Sequence, residues 1–201
     1  MIRTIAALLL AAGAAAAIAQ APADTSVRIR GTVEKIDGQM MTVKANNGQS
    51  MTVKLADNFT VMGIAKASID EIGSGKYIGT TTVGEREGAL VALEVHIFPE
   101  AMRGAGEGHR DWDLRPQSKM TNASVATVTS MGRDRVLLVQ YKGGEKKVLV
   151  PENAAVVSFT PTDRSALKAG AAVFVASQRQ ADGTLVAPRV NVGLNGQIPP
   201  M

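Results

Sequence analysis

The fold class is decided by the segment MMTVKANNGQSMTVKL, residues 40–55. In it, two runs of alternating apolar and polar residues flank Asn46-Asn47-Gly48. Alternation with a period of two predicts strands with one buried face. Asn and Gly tolerate the positive φ of a tight turn, so the segment predicts an antiparallel β-hairpin.

The same alternation continues on both sides of this hairpin. Residues 27–34 read as a preceding strand, and residues 77–83 and 89–98 read as two later strands. Between them, Ser68 and Glu71 form the pattern of a capping box, which predicts the start of a short helix. The order strand, strand, strand, short helix, strand, strand is that of the OB-fold, a small five-stranded barrel.

A second copy of this unit follows 95 positions later. An internal repeat decides the whole architecture of a chain. The matched positions are turn residues and core-type apolar residues: Thr32-Val33 matches Thr127-Val128, Val53 matches Val148, Asn58 matches Asn153, Val61 matches Val156, Gly75 matches Gly170, Gly88 matches Gly183, Leu90-Val91-Ala92 matches Leu185-Val186-Ala187, and Val95 matches Val190. Asp163, another good helix cap, takes the place of Ser68, and residues 172–178 and 184–192 read as the last two strands.

The sequence therefore predicts an all-β protein of two tandem OB-like five-stranded barrels, each with one short helix. Periodicity gives the elements but not the closure of a barrel, so an open sheet or a small sandwich is the alternative. The predicted domains are residues 20–98 and 123–193, with a linker at 99–122 and a tail at 194–201. A unit of about 70 residues is small for an independent core. We therefore expect the two barrels to pack together or to share a strand.

The N-terminus has the features of a secretory signal peptide, residues 1–19. Arg3 precedes an apolar run from Ile5 to Ile18, and Ala17-Ile18-Ala19 is a small-x-small cleavage site. The run is shorter than the roughly 20 residues of a spanning helix. We expect an exported, periplasmic and soluble protein that does not span the membrane once the signal is removed.

The composition narrows the possible functions. The chain has no cysteine, which excludes thiol catalysis, cysteine metal sites and a lipid anchor on cysteine. Its 22 basic and 18 acidic residues give a net charge of +4, which permits weak attraction to an anionic envelope component. Export argues against nucleic acid, a common ligand of OB-folds.

The two histidines, His96 and His109, are the candidate metal ligands, together with Glu94. The alternation of residues 91–97 predicts that Glu94 and His96 point outward from the last strand of the first unit. If the linker folds back onto that strand, His109 and Asp111 could join them, and such a set suits zinc or copper. The close spacing of a metal motif is missing, so surface hydrogen bonding is the alternative.

The linker holds the only tryptophan, Trp112, between Asp111 and Asp113 and near Arg110 and Arg115. These five residues are the candidate ligand-binding set. Trp112 either anchors the linker in a groove between the domains or offers a stacking platform. Motifs of a nucleophile turn or a phosphate-binding loop are missing, so we predict no enzyme activity, no catalytic residues and no cofactor.

The stretch Val95-His96-Ile97-Phe98-Pro99-Glu100-Ala101-Met102-Arg103-Gly104, with Gly106-Glu107-Gly108-His109-Arg110 and Trp112-Asp113-Leu114, resembles the linker of a family of uncharacterised exported bacterial proteins. The resemblance implies tandem OB-like domains of unknown function over essentially the whole mature chain. Members often carry the label metal ABC transporter permease. A permease needs several spanning helices, which this sequence does not contain.

We therefore expect a periplasmic binding or scaffolding protein of unknown ligand, with an envelope protein or an anionic envelope component as partner. The alternative is a metal-handling accessory protein that uses His96 and His109.

Overall fold

The structure is a computed structural model that describes residues 25–201. The predicted signal peptide lies outside the described residues. The described chain is all-β, as the sequence predicts. Its strands are β1 (Ser26–Asp37), β2 (Met40–Ala45), β3 (Ser50–Lys66), β4 (Tyr77–Arg86), β5 (Ala89–Ile97), β6 (Gly108–Asp111), β7 (Lys119–Met131), β8 (Asp134–Tyr141), β9 (Gly144–Val150), β10 (Ala155–Thr162), β11 (Ala172–Arg179) and β12 (Leu185–Gly193).

The hairpin of residues 40–55 forms as predicted. Its two strands, β2 and the start of β3, pair in antiparallel with Met41 opposite Val53, and both of these side chains are fully buried. In the turn, the Asn47 side chain accepts a backbone hydrogen bond of 3.0 Å. Gly48 has a φ of +87°, a left-handed conformation that favours glycine.

The predicted short helices are single 3-10 turns, Ile69–Glu71 and Arg164–Ala166. Both caps form as predicted, because Ser68 completes its capping box with Glu71 and Asp163 accepts a backbone hydrogen bond. The residue after each turn is extended, so neither turn continues into a helix. Between residues 25 and 201, no helix is long and apolar enough to cross a membrane.

Five strands close a barrel in the order β1, β2, β3, β12, β11. Antiparallel ladders join β11 to β1, β1 to β2, β2 to β3 and β12 to β11, and a parallel ladder joins β3 to β12. Three of these strands come from the first half, residues 25–98, and two come from the second half, residues 119–201. The barrel interior is apolar and includes the buried side chains of Ile29, Val33, Val43, Leu55, Val175 and Val190.

Five of the remaining strands, two from the first half and three from the second half, form a second set. Antiparallel ladders run from β5 through β4, β7 and β8 to β9, and Leu90 and Val91 of β5 pair in parallel with β9. The expectation that each repeat closes its own barrel is therefore wrong in its strand pairing, because each half supplies strands to both sets. A second apolar cluster includes Ile78, Ala123, Leu137, Val139 and Val148.

We call this sharing of strands between the two halves the exchange, and the length of β3 accounts for it. β3 has 17 residues, which extend over about 55 Å at about 3.3 Å per residue. Its first residues pair with β2, and its residues 60–64 still pair with β12 of the barrel. On the other edge, residues 61–66 pair with β10, and β10 pairs in parallel with β5. The end of β3 therefore joins the barrel to the second set of strands, where β4 and β5 form, and strands from the second half complete the barrel.

The exchange predicts that neither half folds alone. We expect a fragment of residues 25–104 and a fragment of residues 105–201 to lack a cooperative thermal transition when separate, because most ladders of β3, β4 and β5 join the two halves. An equimolar mixture should regain strand signal and a cooperative transition in circular dichroism. A monomeric first fragment that melts cooperatively on its own would contradict the exchanged pairing.

Candidate binding pocket

The linker is ordered by a strand that its sequence does not predict. β6 pairs in antiparallel with β7, placing Gly108 opposite Asn122 and Arg110 opposite Met120. A 3-10 turn, Glu100–Met102, precedes β6. Because β6 holds the linker against the edge of β7, the linker residues have fixed positions relative to the sheet.

The two histidines do not share a site. His109 aligns across β7 and β4 with Thr121, Thr80 and Val95. Directly opposed residues of adjacent strands share a face of the sheet, and successive residues alternate between faces. His96 follows Val95, so it faces the opposite side, and β6 is separated from β5 by three strand spacings of about 4.8 Å.

Other observations also separate the predicted metal ligands. The His109 Nδ1 lies 2.8 Å from the Thr121 hydroxyl. Burial, with the charges of Lys146 and Lys119, lowers the pKa of His109. Within residues 25–201, no group of three His, Asp or Glu side chains could hold a metal ion.

Glu94 and His96 are buried, at 1% and 2% exposure, although the sequence predicts them on an outward face. The burial of His96 has a structural reason: Phe98 and Phe159 pack against its ring, and residues of the barrel and the linker line the cavity beside it. The Thr81 hydroxyl donates a hydrogen bond of 2.5 Å to Glu94 Oε1. The His96 Nε2 lies 3.2 Å from the same oxygen, but neither this nitrogen nor Glu94 Oε2 has a hydrogen-bond partner.

A cavity of about 390 Å³ lies on this buried face, where the barrel meets the second set of strands. Its walls are largely aromatic. Phe98 and Phe159 have ring centroids 4.9 Å apart, and Trp112 lies 6.4 Å from Phe174. We call this cavity, lined by these four residues and His96, the aromatic pocket. Its volume is within the range of about 300–1,000 Å³ that is usual for small-molecule sites.

Three residues that line the aromatic pocket, Trp112, Asn122 and Asn191, each hold a buried polar atom without a hydrogen-bond partner among the described residues. The amide nitrogens of Asn122 and Asn191 donate to the carbonyl oxygens of Ala105 and Phe174, at 3.0 and 3.2 Å. These bonds fix the orientation of both amides. Their oxygens and the indole nitrogen of Trp112 have almost no surface accessible to water. Most buried polar groups in proteins are hydrogen-bonded, so these three atoms mark the pocket wall as unusual.

Trp112 is positioned by arginine and aspartate side chains. The Arg28 guanidinium lies 4.3 Å from the indole centroid and the Arg110 guanidinium 5.6 Å. Asp113 accepts a hydrogen bond of 2.7 Å from Arg30 and lies 3.8 Å from Arg28. The linker is thereby tied to β1 of the barrel, and the indole packs into the pocket wall.

Of the five predicted ligand-binding residues, two line the aromatic pocket and three do not. Trp112 and Arg110 line the aromatic pocket, and Asp113 holds the arginines of β1. Asp111 pairs with Lys119 and, like Arg115, is exposed and is not part of the pocket wall. Sequence reasoning did not assign the remaining wall residues to a site: Phe98, Asn122, Phe159, Phe174 and Asn191.

Comparison of the chain with protein-family models, with curated proteins and with solved structures gives no match. The family resemblance of the linker therefore stays a prediction.

The pKa of Asp113 gives a prediction for stability. Burial raises this pKa, but the hydrogen bond from Arg30 and the charges of Arg30 and Arg28 outweigh burial and lower it overall. A carboxylate whose pKa is lowered by folding stabilises the protein above its unfolded pKa, and this contribution disappears as the pH falls through the folded pKa.

We therefore expect Asp113→Asn to lower the free energy of unfolding at pH 7 by up to about 1 kcal/mol. The difference from the unmodified protein should shrink as the pH falls below the usual range of Asp. Thermal unfolding at a series of pH values measures both effects. Asp111→Asn is the control, because the Asp111–Lys119 pair is exposed and exposed ion pairs change stability little. A constant difference down to pH 3 would contradict the role of Asp113.

Proposed function

We propose that this protein is a periplasmic binding protein for a small, largely apolar molecule and that the aromatic pocket is its binding site. The single observation that carries the proposal is a cavity of small-molecule size whose aromatic walls also carry asparagine and arginine side chains. Small-molecule sites are mostly apolar clefts with a few polar groups that fix the orientation of the ligand. The predicted export of the chain supports a role in the cell envelope.

The polar residues of the pocket wall indicate which groups the ligand carries. Arg110 and Arg189 line the cavity, and each can donate hydrogen bonds to a polar group of the ligand. Hydrogen bonds to a charged group contribute about 1.5–3 kcal/mol, so a ligand with an acceptor placed at these arginines gains affinity and specificity. The described residues offer no comparable support to the metal-handling alternative.

The binding proposal is tested with the dye N-phenylnaphthylamine, an apolar molecule that carries one N–H group. We expect saturable binding, with dye emission rising as Trp112 emission falls through energy transfer. Because the chain has one tryptophan and it lies in the pocket wall, this transfer reports the location of the dye.

The matched variants are Ala176→Phe and Ala181→Phe. Ala176 lines the aromatic pocket, so the added ring should obstruct it and weaken dye binding about tenfold or more. Ala181 lies in the exposed turn after β11 and should leave binding unchanged. Equal binding by both variants, or the lack of saturable binding by the unmodified protein, would disprove the proposal.

A further inference from the structure

The charges around the aromatic pocket are unbalanced. Arg28 and Arg30 share the carboxylate of Asp113, and Arg30 also donates a hydrogen bond to the main-chain oxygen of Met201. Arg110 and Arg189 both line the cavity, and neither forms an ion pair with any residue between 25 and 201. The pocket therefore carries excess positive charge in its wall.

Arg110 is the more constrained of the two unpaired arginines. It is half-buried on β6, and it donates one hydrogen bond, of 2.6 Å, to the carbonyl oxygen of Gly106. Burial and the neighbouring charge of Arg28 lower its pKa. A guanidinium in this setting keeps several donors available, and it gains most from a planar anion that accepts two of them.

The second arginine comes from another part of the fold. Arg189 lies on β12, the strand that corresponds to β5, and its side chain is exposed. The Arg110 guanidinium lies beside the indole ring of Trp112. Arginines from β6 and β12 thus line one cavity.

A cationic ligand is the opposite possibility, because Glu94 has an unpartnered oxygen. Glu94 is not among the residues that line the cavity, and its other oxygen is occupied by Thr81. Two arginines line the cavity directly, so the anion is favoured.

We propose that the ligand is an organic acid, with an apolar body against the aromatic walls and a carboxylate held by Arg110 and Arg189. This inference rests on the proposed binding function, since it assigns a ligand class to the same pocket.

The experiment compares three molecules that share one ring system and differ in charge: naphthoate, naphthylmethanol and naphthylmethylamine. Each displaces N-phenylnaphthylamine from the full mature protein at low ionic strength. We expect naphthoate to displace the dye at about tenfold lower concentration than the alcohol, because charge-assisted hydrogen bonds exceed neutral ones in strength. The amine should be the weakest competitor.

The double variant Arg110→Gln/Arg189→Gln should lose the advantage of the acid over the alcohol while it still binds the dye. Arg133→Gln is the matched control for charge, because Arg133 is exposed on the β7–β8 turn and pairs with Glu152. The control should keep the advantage of the acid. Near-ultraviolet circular dichroism checks that the double variant is folded. The single variant Arg189→Gln is measured as well, because Arg189 is exposed and its replacement should not disturb folding; it should lose part of the advantage of the acid.

The outcomes separate the two proposals. If the dye binds and the acid and alcohol compete equally, or the amine competes best, the organic-acid inference is wrong and the binding function stands. If the acid advantage survives in the double variant, the assigned arginines are wrong. If neither the dye nor naphthoate binds, the latter measured by calorimetry, both proposals fail.

Discussion

The course of β3 is the constraint on which the rest of the structure depends. This strand of 17 residues pairs with β2 at its start and with β12 as far as Ile64, which keeps it in the barrel. Its residues 61–66 also pair with β10, which pairs with β5 of the other set of strands. β4 and β5 therefore form where β3 ends, and β11 and β12 return from the second half to close the first barrel. Burial of two apolar clusters then depends on both halves, which agrees with the small core available to one unit of about 70 residues.

The same exchange creates the aromatic pocket. β5 and β12 occupy corresponding places in the two halves, and each carries a polar pair at matched positions: Glu94 with His96, and Arg189 with Asn191. In an isolated barrel the face opposite the core is open to water. Here the barrel, β10 and the linker meet over it, so that His96 and Asn191 become buried beside Phe159 and Phe174. The pocket is therefore formed where the two halves join, and neither half contains all of its walls.

Local signals predicted the elements well, whereas the pairing of the elements was not predictable from them. Alternation located the hairpin of residues 40–55, and the cap at Ser68 forms, because both depend on residues close in sequence. Period-two alternation indicates which residues share a face, but not what covers that face. Glu94 and His96 were accordingly assigned to solvent. Of the candidate site, Trp112 and Arg110 were found through the unusual composition of the linker. Asn122 and Asn191 carry no local signal, although the matched polar pairs of β5 and β12 were a visible hint of a shared surface.

The energetics of the pocket favour a ligand with both apolar and polar parts. Three lining residues, Trp112, Asn122 and Asn191, each hold a buried polar atom without a hydrogen-bond partner among the described residues. At about 1–3 kcal/mol for each unsatisfied atom, their cost is a large fraction of the stability of a typical domain, about 5–15 kcal/mol. The remaining polar groups of the wall are Arg110 and Arg189, which water can solvate, whereas water gains little from the aromatic walls. An amphipathic organic molecule would contact both kinds of surface. A molecule that binds only the folded state would also add to stability in proportion to its occupancy.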